Sequence, residues 1–156
     1  MNRFRVLDRA RPRAPFPILV EDQQDEAELL VRAFEAAGLA APPDVFATAE
    51  DAITFLSDED SYRHLDPVQP FSFALLDVRL PGISGLDLLE WMGRAPKLVH
   101  VPVIMLSGSS DPERIHRAFR LGAKSYLVKP VGFDPLVRLV ESVHRFWTAS
   151  DAVARD

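Results

Sequence analysis

The chain has 156 residues, 47% of them apolar, a formal net charge of -5 and no cysteine. That is enough chain for one domain with a real core, and too apolar for global disorder. The acidic balance argues against a general nucleic-acid binder. The missing cysteine excludes disulfides, thiolate metal sites and a Cys nucleophile, and no apolar run approaches membrane-spanning length.

Residues 1–15 carry Arg3, Arg5, Arg9, Arg11 and Arg13 and are broken by Pro12 and Pro15. No apolar signal core follows, so a cytoplasmic location is expected. The segment reads as a loosely docked arm, with contact to an acidic partner as the lesser alternative. Phe16 to Val20 is an apolar run that predicts a first strand, and it stops at Glu21-Asp22. Ala27, Leu30, Val31 and Phe34 then fall on one helical face, and Gly38 and Pro42-Pro43 end that helix. Val45-Phe46-Ala47 is a short second strand. Thr48 and Asp51 form a capping pair for a second helix with Ala49, Ala52, Ile53 and Leu56 on its inner face. Ser57 to Pro70 is polar and reads as a surface loop.

Phe73 to Leu76 is a short run expected to be buried on both faces, ending at Asp77 before the turn residues Pro81-Gly82. Ser84 with Asp87 caps a third helix lined by Gly85, Leu88, Leu89 and Met92. Val101 to Leu106 is a fourth strand ending at Ser107-Gly108. Ser110 to Glu113 with Pro112 starts a fourth helix, predicted to turn Ile115, Ala118 and Phe119 inward. Ser125 to Val128 is a fifth strand, followed by Lys129-Pro130. Asp134-Pro135 opens a last helix with Leu136, Leu139, Val140 and Val143 on one stripe, and after Trp147 the polar composition predicts fraying. The expected organisation is an arm at 1–15, one domain at 16–148 and a tail at 149–156. Alternating strands and helices imply an α/β fold, a parallel sheet covered by helices on both faces.

In such a sheet all strand carboxyl ends open on one edge, where ligands bind. Here they deliver Glu21-Asp22, Asp77, Ser107 and Lys129. Three carboxylates crowded together repel, so one takes a proton or a cation joins them. Oxygen donors without His or Cys select Mg²⁺ or a close relative. For Glu21-Asp22 alone a solvated acidic rim is the better reading; with Asp77 and Lys129 added, the metal is preferred. Lys129 reads as an ion-pair partner of Asp77, as a donor to phosphoryl oxygens, or as both in turn. Asp77 is then the nucleophile of an acyl phosphate.

The run Leu76-Asp77-Val78-Arg79-Leu80-Pro81-Gly82, with Gly85, resembles the phosphoacceptor segment of response-regulator receiver domains, and the resemblance spans Phe16 to Trp147. It implies a flavodoxin-like, doubly wound five-stranded parallel sheet of order 2-1-3-4-5 with five helices. It implies Mg²⁺ held by Glu21, Asp22, Asp77 and the backbone carbonyl of Arg79, and phosphorylation of Asp77 by a histidine kinase. Ser107 matches the family's hydroxyl switch residue and Lys129 its phosphate-binding lysine, with a cis bond before Pro130. Tyr126 matches the aromatic switch residue, though an ordinary half-buried edge-strand Tyr would read the same way. Leu127 to Val131 through Phe146-Trp147 is similar to single-domain, phytochrome-associated receivers, which implies a phytochrome-type kinase as partner. Partner binding or homodimerisation is expected on the face of the fourth helix, fifth strand and fifth helix. Arg114, Arg117 and Arg120 lie there, as a contact site or as a solvated face. Gln23 departs from the family, which often has an acid there.

An enzyme is the rival reading. A dehalogenase-type phosphatase needs an acid two residues after the nucleophile, and position 79 is Arg. Gly82-Ile83-Ser84-Gly85 lacks the spacing of a serine nucleophile elbow, and no His lies at a strand end. Nucleotide binding would need a Gly-rich loop after the first strand. The intact set also argues against a receiver that works without phosphorylation.

Overall fold

A computed structural model describes residues 15–39, 41–62 and 70–154, with side chains described to Trp147. Nearly all of the Arg-rich arm therefore lies outside the described residues. The strands are β1 (Phe16–Val20), β2 (Asp44–Phe46), β3 (Phe71–Asp77), β4 (Val103–Ser107) and β5 (Ser125–Val128). The α-helices are α1 (Gln24–Ala36), α2 (Ala49–Ser57), α3 (Gly85–Arg94), α4 (Pro112–Arg120) and α5 (Phe133–Ala154), with a 3₁₀ turn at Glu59–Ser61. All strand pairs are parallel, in the order β2-β1-β3-β4-β5.

Strand alternation divides the apolar residues between two cores. Ile18, Val20, Phe46, Ala74, Leu76 and Met105 pack on α2 and α3, whereas Leu19, Val45, Phe73, Leu75, Ile104 and Leu106 pack on α1 and α5. The chain therefore leaves β1 toward one face and β3 toward the other. The crevice between those two strand ends is the topological switch point of the sheet, where open α/β folds place their ligands. Helix starts follow the sequence at two sites: the Thr48 hydroxyl accepts from the Asp51 N–H at 3.0 Å and the Ser84 hydroxyl from the Asp87 N–H at 3.1 Å.

Several expectations are corrected. The cap of α4 is Asp111, whose carboxylate accepts from the Glu113 N–H at 3.1 Å, not Ser110. With Pro112 locked at the first helical position, the residue just before it is the one placed to cap. Phe119 does not face inward; it is half exposed, and Ala118 is the only fully buried residue of α4. Adjacent helical residues point about 100° apart, so a helix that rests on Ala118 cannot also bury Phe119. β2 begins one residue early, at the buried Asp44 paired with Ile18. No peptide bond among the described residues is cis, so the bond before Pro130 is trans, the lower-energy form. The approach to α5 turns instead at Gly132, where φ is +101°. α5 runs to Ala154, beyond Trp147; its last turns contain neither Gly nor Pro to stop it.

The supposed surface loop after α2 contributes to the core. Tyr62 is buried against Phe55 and Phe71 at ring separations of 5.8 and 5.2 Å, and its hydroxyl donates to the Leu56 carbonyl at 3.1 Å. That bond satisfies the polar end of an otherwise apolar side chain.

Candidate functional site: an acidic cleft bridged by one lysine

Each functional side chain is set by a strand end. The Glu21 N–H donates to the Phe46 carbonyl at 3.0 Å, continuing the β1–β2 ladder by one residue and holding Glu21 inward, 1% exposed. The Asp77 Oδ1 accepts from the Arg79 N–H at 3.2 Å, which fixes the carboxylate over the following turn. Gly82, at φ +72°, makes that turn. Gly85 then brings α3 hard against the end of β3: its N–H donates to the Val78 carbonyl at 3.0 Å, and a Cβ at this position would lie 1.9 Å from the Asp77 carbonyl oxygen. Glu50 of α2 reaches across to accept from the Ile83 N–H at 2.7 Å, pinning the same loop from the other side.

From β4, the Ser107 hydroxyl accepts from the Ser109 N–H at 3.3 Å, and the Ser107 carbonyl accepts from the Lys129 N–H at 2.7 Å. That backbone bond carries the sheet ladder past β5 and delivers the Lys129 side chain to the cleft. Its ammonium lies 3.3 Å from Asp77 Oδ2, 3.2 Å from Glu21 Oε2 and 2.7 Å from Glu26 Oε2. Glu21, Asp22 and Asp77 each offer an oxygen, all within 4.8 Å of one another. The cleft holds about 620 Å³ and is lined by Asp22, Glu26, Asp77, Arg79, Ser107 and Lys129, among others. The residues expected to meet therefore do meet. Tyr126 stands behind the cleft, half-buried, its hydroxyl 3.5 Å from the Ser109 carbonyl. A larger groove of about 720 Å³ between β5 and α5, walled by Leu127, Val143, Phe146 and Trp147, contains no carboxylate.

Glu26 is the residue that the sequence analysis missed. Its only sequence signal is its place in the first turn of α1, four residues after Asp22 and thus above the strand ends. Its partner lies 103 residues away.

The electrostatics show a cluster short of positive charge. Burial pushes the Glu21 carboxyl up to about 9, and hydrogen bonds with Glu26 and Asp77 and the charge of Asp77 push the same way against the pull of Lys129. Burial alone would lower the Lys129 ammonium, but the hydrogen bond to Glu26 and the charges of Glu21, Asp77 and Glu26 outweigh it and hold it above the usual lysine range. One lysine does not offset this set of carboxylates. A compact donor set made only of carboxylate oxygens and short of positive charge fits a hard divalent cation such as Mg²⁺ or Mn²⁺.

The architecture is flavodoxin-like: an open, doubly wound parallel sheet with its site at the switch point. A family model described as the response regulator receiver domain matches residues 18–141, and the chain belongs to that family, the receiver domains of two-component systems. It is 34% identical over 135 residues to the probable methanogenesis regulatory protein FilR2 of Methanothrix harundinacea (strain 6Ac), covering 85% of this chain and 84% of that one. Among solved structures it resembles the bacteriophytochrome response regulator AtBRR, with 30% identity, a TM-score of 0.66 and coverage of 86% and 96%. It also shares the fold of the Mn²⁺-bound response regulator Rcp1, with 23% identity, a TM-score of 0.72 and coverage of 86% and 94%. No helix among the described residues is long and apolar enough to cross a membrane.

Proposed function

We propose that the chain is a phosphorylation-controlled switch in which Asp77 accepts a phosphoryl group from the phosphohistidine of a kinase. The observation that supports it best is the lysine bridge: Lys129 meets Asp77 and Glu21 in a cleft that also presents Asp22 and Ser107. Glu21, Asp22, Asp77 and the backbone carbonyl of Arg79 would hold Mg²⁺. When bound, the cation neutralises the carboxylates and the phosphoryl oxygens. An Asp77 carboxylate oxygen attacks phosphorus in line; the new P–O bond forms as the P–N bond to the kinase imidazole breaks. Lys129 exchanges its contact with Asp77 for a phosphoryl oxygen. The Ser107 hydroxyl, which accepts from Ser109 in this structure, turns its own hydrogen toward a second oxygen.

The movement passes to the surface through Ser109. Its carbonyl meets the Tyr126 hydroxyl, so a shift of this loop frees the ring to repack. The face of α4, β5 and α5 changes with it. Phe119, Val128 and Phe146 are exposed there, as suits the docking of a partner or a second copy of the chain. Of the basic residues on α4, Arg117 pairs with Asp87 of α3 at 3.5 Å and Arg114 with Asp111 at 3.6 Å, so these two also serve to fix the helix. The likeness to AtBRR supports a phytochrome-type histidine kinase as the phosphodonor.

Intact mass after incubation with acetyl phosphate and Mg²⁺ tests this reading. The wild type is expected to gain one phosphoryl group, and Asp77→Asn none; an equal gain in both would refute it. Arg79 is exposed and lines the cleft beside the acceptor, and the proposed role of its side chain is to shield the acyl phosphate from water. Arg79→Ala is expected to shorten the acyl-phosphate lifetime roughly threefold, measured by the decay of the phosphorylated mass. An unchanged decay would remove Arg79 from this role.

A further inference from the structure

Lys129 has a carboxylate partner outside the group that would hold the metal or accept the phosphoryl group. Glu26 Oε2 lies 2.7 Å from the ammonium, nearer than Glu21 or Asp77. An ammonium has three N–H donors, so these three carboxylates engage all of them. Glu26 is not part of the compact oxygen cluster of Glu21, Asp22 and Asp77. It also differs from the other two partners in exposure: the Glu26 side chain is 47% exposed, that of Asp77 9% and that of Glu21 1%.

We propose that Glu26 is a positioning residue that restrains Lys129, holding its ammonium toward α1 and cancelling part of its charge, so that it slows phosphoryl uptake at Asp77. The proposal rests on Asp77 being the phosphoacceptor. Phosphorylation would take Asp77 away as a partner of Lys129, and holding the metal would engage Glu21. The bond to Glu26 is the one that neither event removes. It must break or stretch for the lysine to give its full charge to the phosphoryl oxygens. Glu26 can let go into water at small cost because half of it is already there, whereas a buried carboxylate could not. The arrangement is a restraint that yields to a phosphoryl group.

The test is the rate of uptake from acetyl phosphate at saturating Mg²⁺, followed by intact mass, for the wild type, Glu26→Gln and Glu28→Gln. Glu28 is an exposed acid of the same helix, engaged by the Gln24 side chain at 3.2 Å, and its replacement makes the same change in net charge. Glu26→Gln is expected to accelerate uptake about fivefold and Glu28→Gln to leave it unchanged. Damage to the fold would slow uptake, so acceleration is a readout that a purely structural role does not produce. A Glu26→Gln rate equal to or below the wild type, or equal acceleration by both variants, overturns the proposal. A wild type that takes up no phosphoryl group overturns the acceptor reading, and this one with it.

Discussion

Gly85→Ala is expected to destabilise the protein by about 3 kcal/mol or more, lowering the melting temperature by roughly 8 °C. The added Cβ would sit 1.9 Å from the Asp77 carbonyl oxygen, 2.8 Å from its carbonyl carbon and 3.0 Å from the Val78 Cα. All three are backbone atoms of the strand end and cannot rotate away as a side chain could. Relief requires α3 to back off from β3, which breaks the bond from the Gly85 N–H to the Val78 carbonyl and moves the Asp77 loop. Gly93, in the same helix, supplies the control. A Cβ there meets nothing nearer than 3.8 Å, so Gly93→Ala is expected to gain about 0.5–1 kcal/mol from helix propensity. Thermal unfolding of the two variants reads the difference directly. Equal melting temperatures would show that α3 does not approach β3 this closely.

Lys129→Ala is expected to slow phosphoryl uptake from acetyl phosphate about 100-fold, the usual scale for losing one donor to a developing oxyanion. The same change removes the cation that bridges Glu21, Glu26 and Asp77, so the variant should bind Mg²⁺ more tightly than the wild type. The two effects have opposite signs. A variant that was simply misfolded would lose both properties. Uptake within twofold of the wild type at saturating Mg²⁺ would mean that Lys129 serves only as a structural ion pair.

Most of the site was legible because it lies at the ends of apolar runs. A buried strand of a parallel sheet must be continuous in hydrophobicity, so the residue at which the run stops, Glu21 or Asp77, is marked in the sequence. Lys129 was legible for the same reason, after Ser125 to Val128. Glu26 was not, because nothing local distinguishes it from Asp25 or Glu28 until the segment after β5 folds back over α1. Tyr62 was hidden by polar neighbours, although Phe46, Phe55 and Phe71 form the aromatic cluster that accepts it. Phe119 was misplaced because α4 has only nine residues and three large or small apolar side chains, too few to decide which of two adjacent positions faces the sheet. The family resemblance supplied what residues alone could not, the strand order. It also suggested a cis bond before Pro130 that the structure does not have.

The central claim is that one carboxylate, Asp77, becomes an acyl phosphate. Borohydride reduces an aspartyl phosphate to homoserine, so treating the phosphorylated protein with it and sequencing the peptides by mass spectrometry reports the modified position itself. The account predicts homoserine at position 77 and at no other aspartate. An unreduced Asp77 in a protein that has gained a phosphoryl group, or homoserine at a different position, would contradict it.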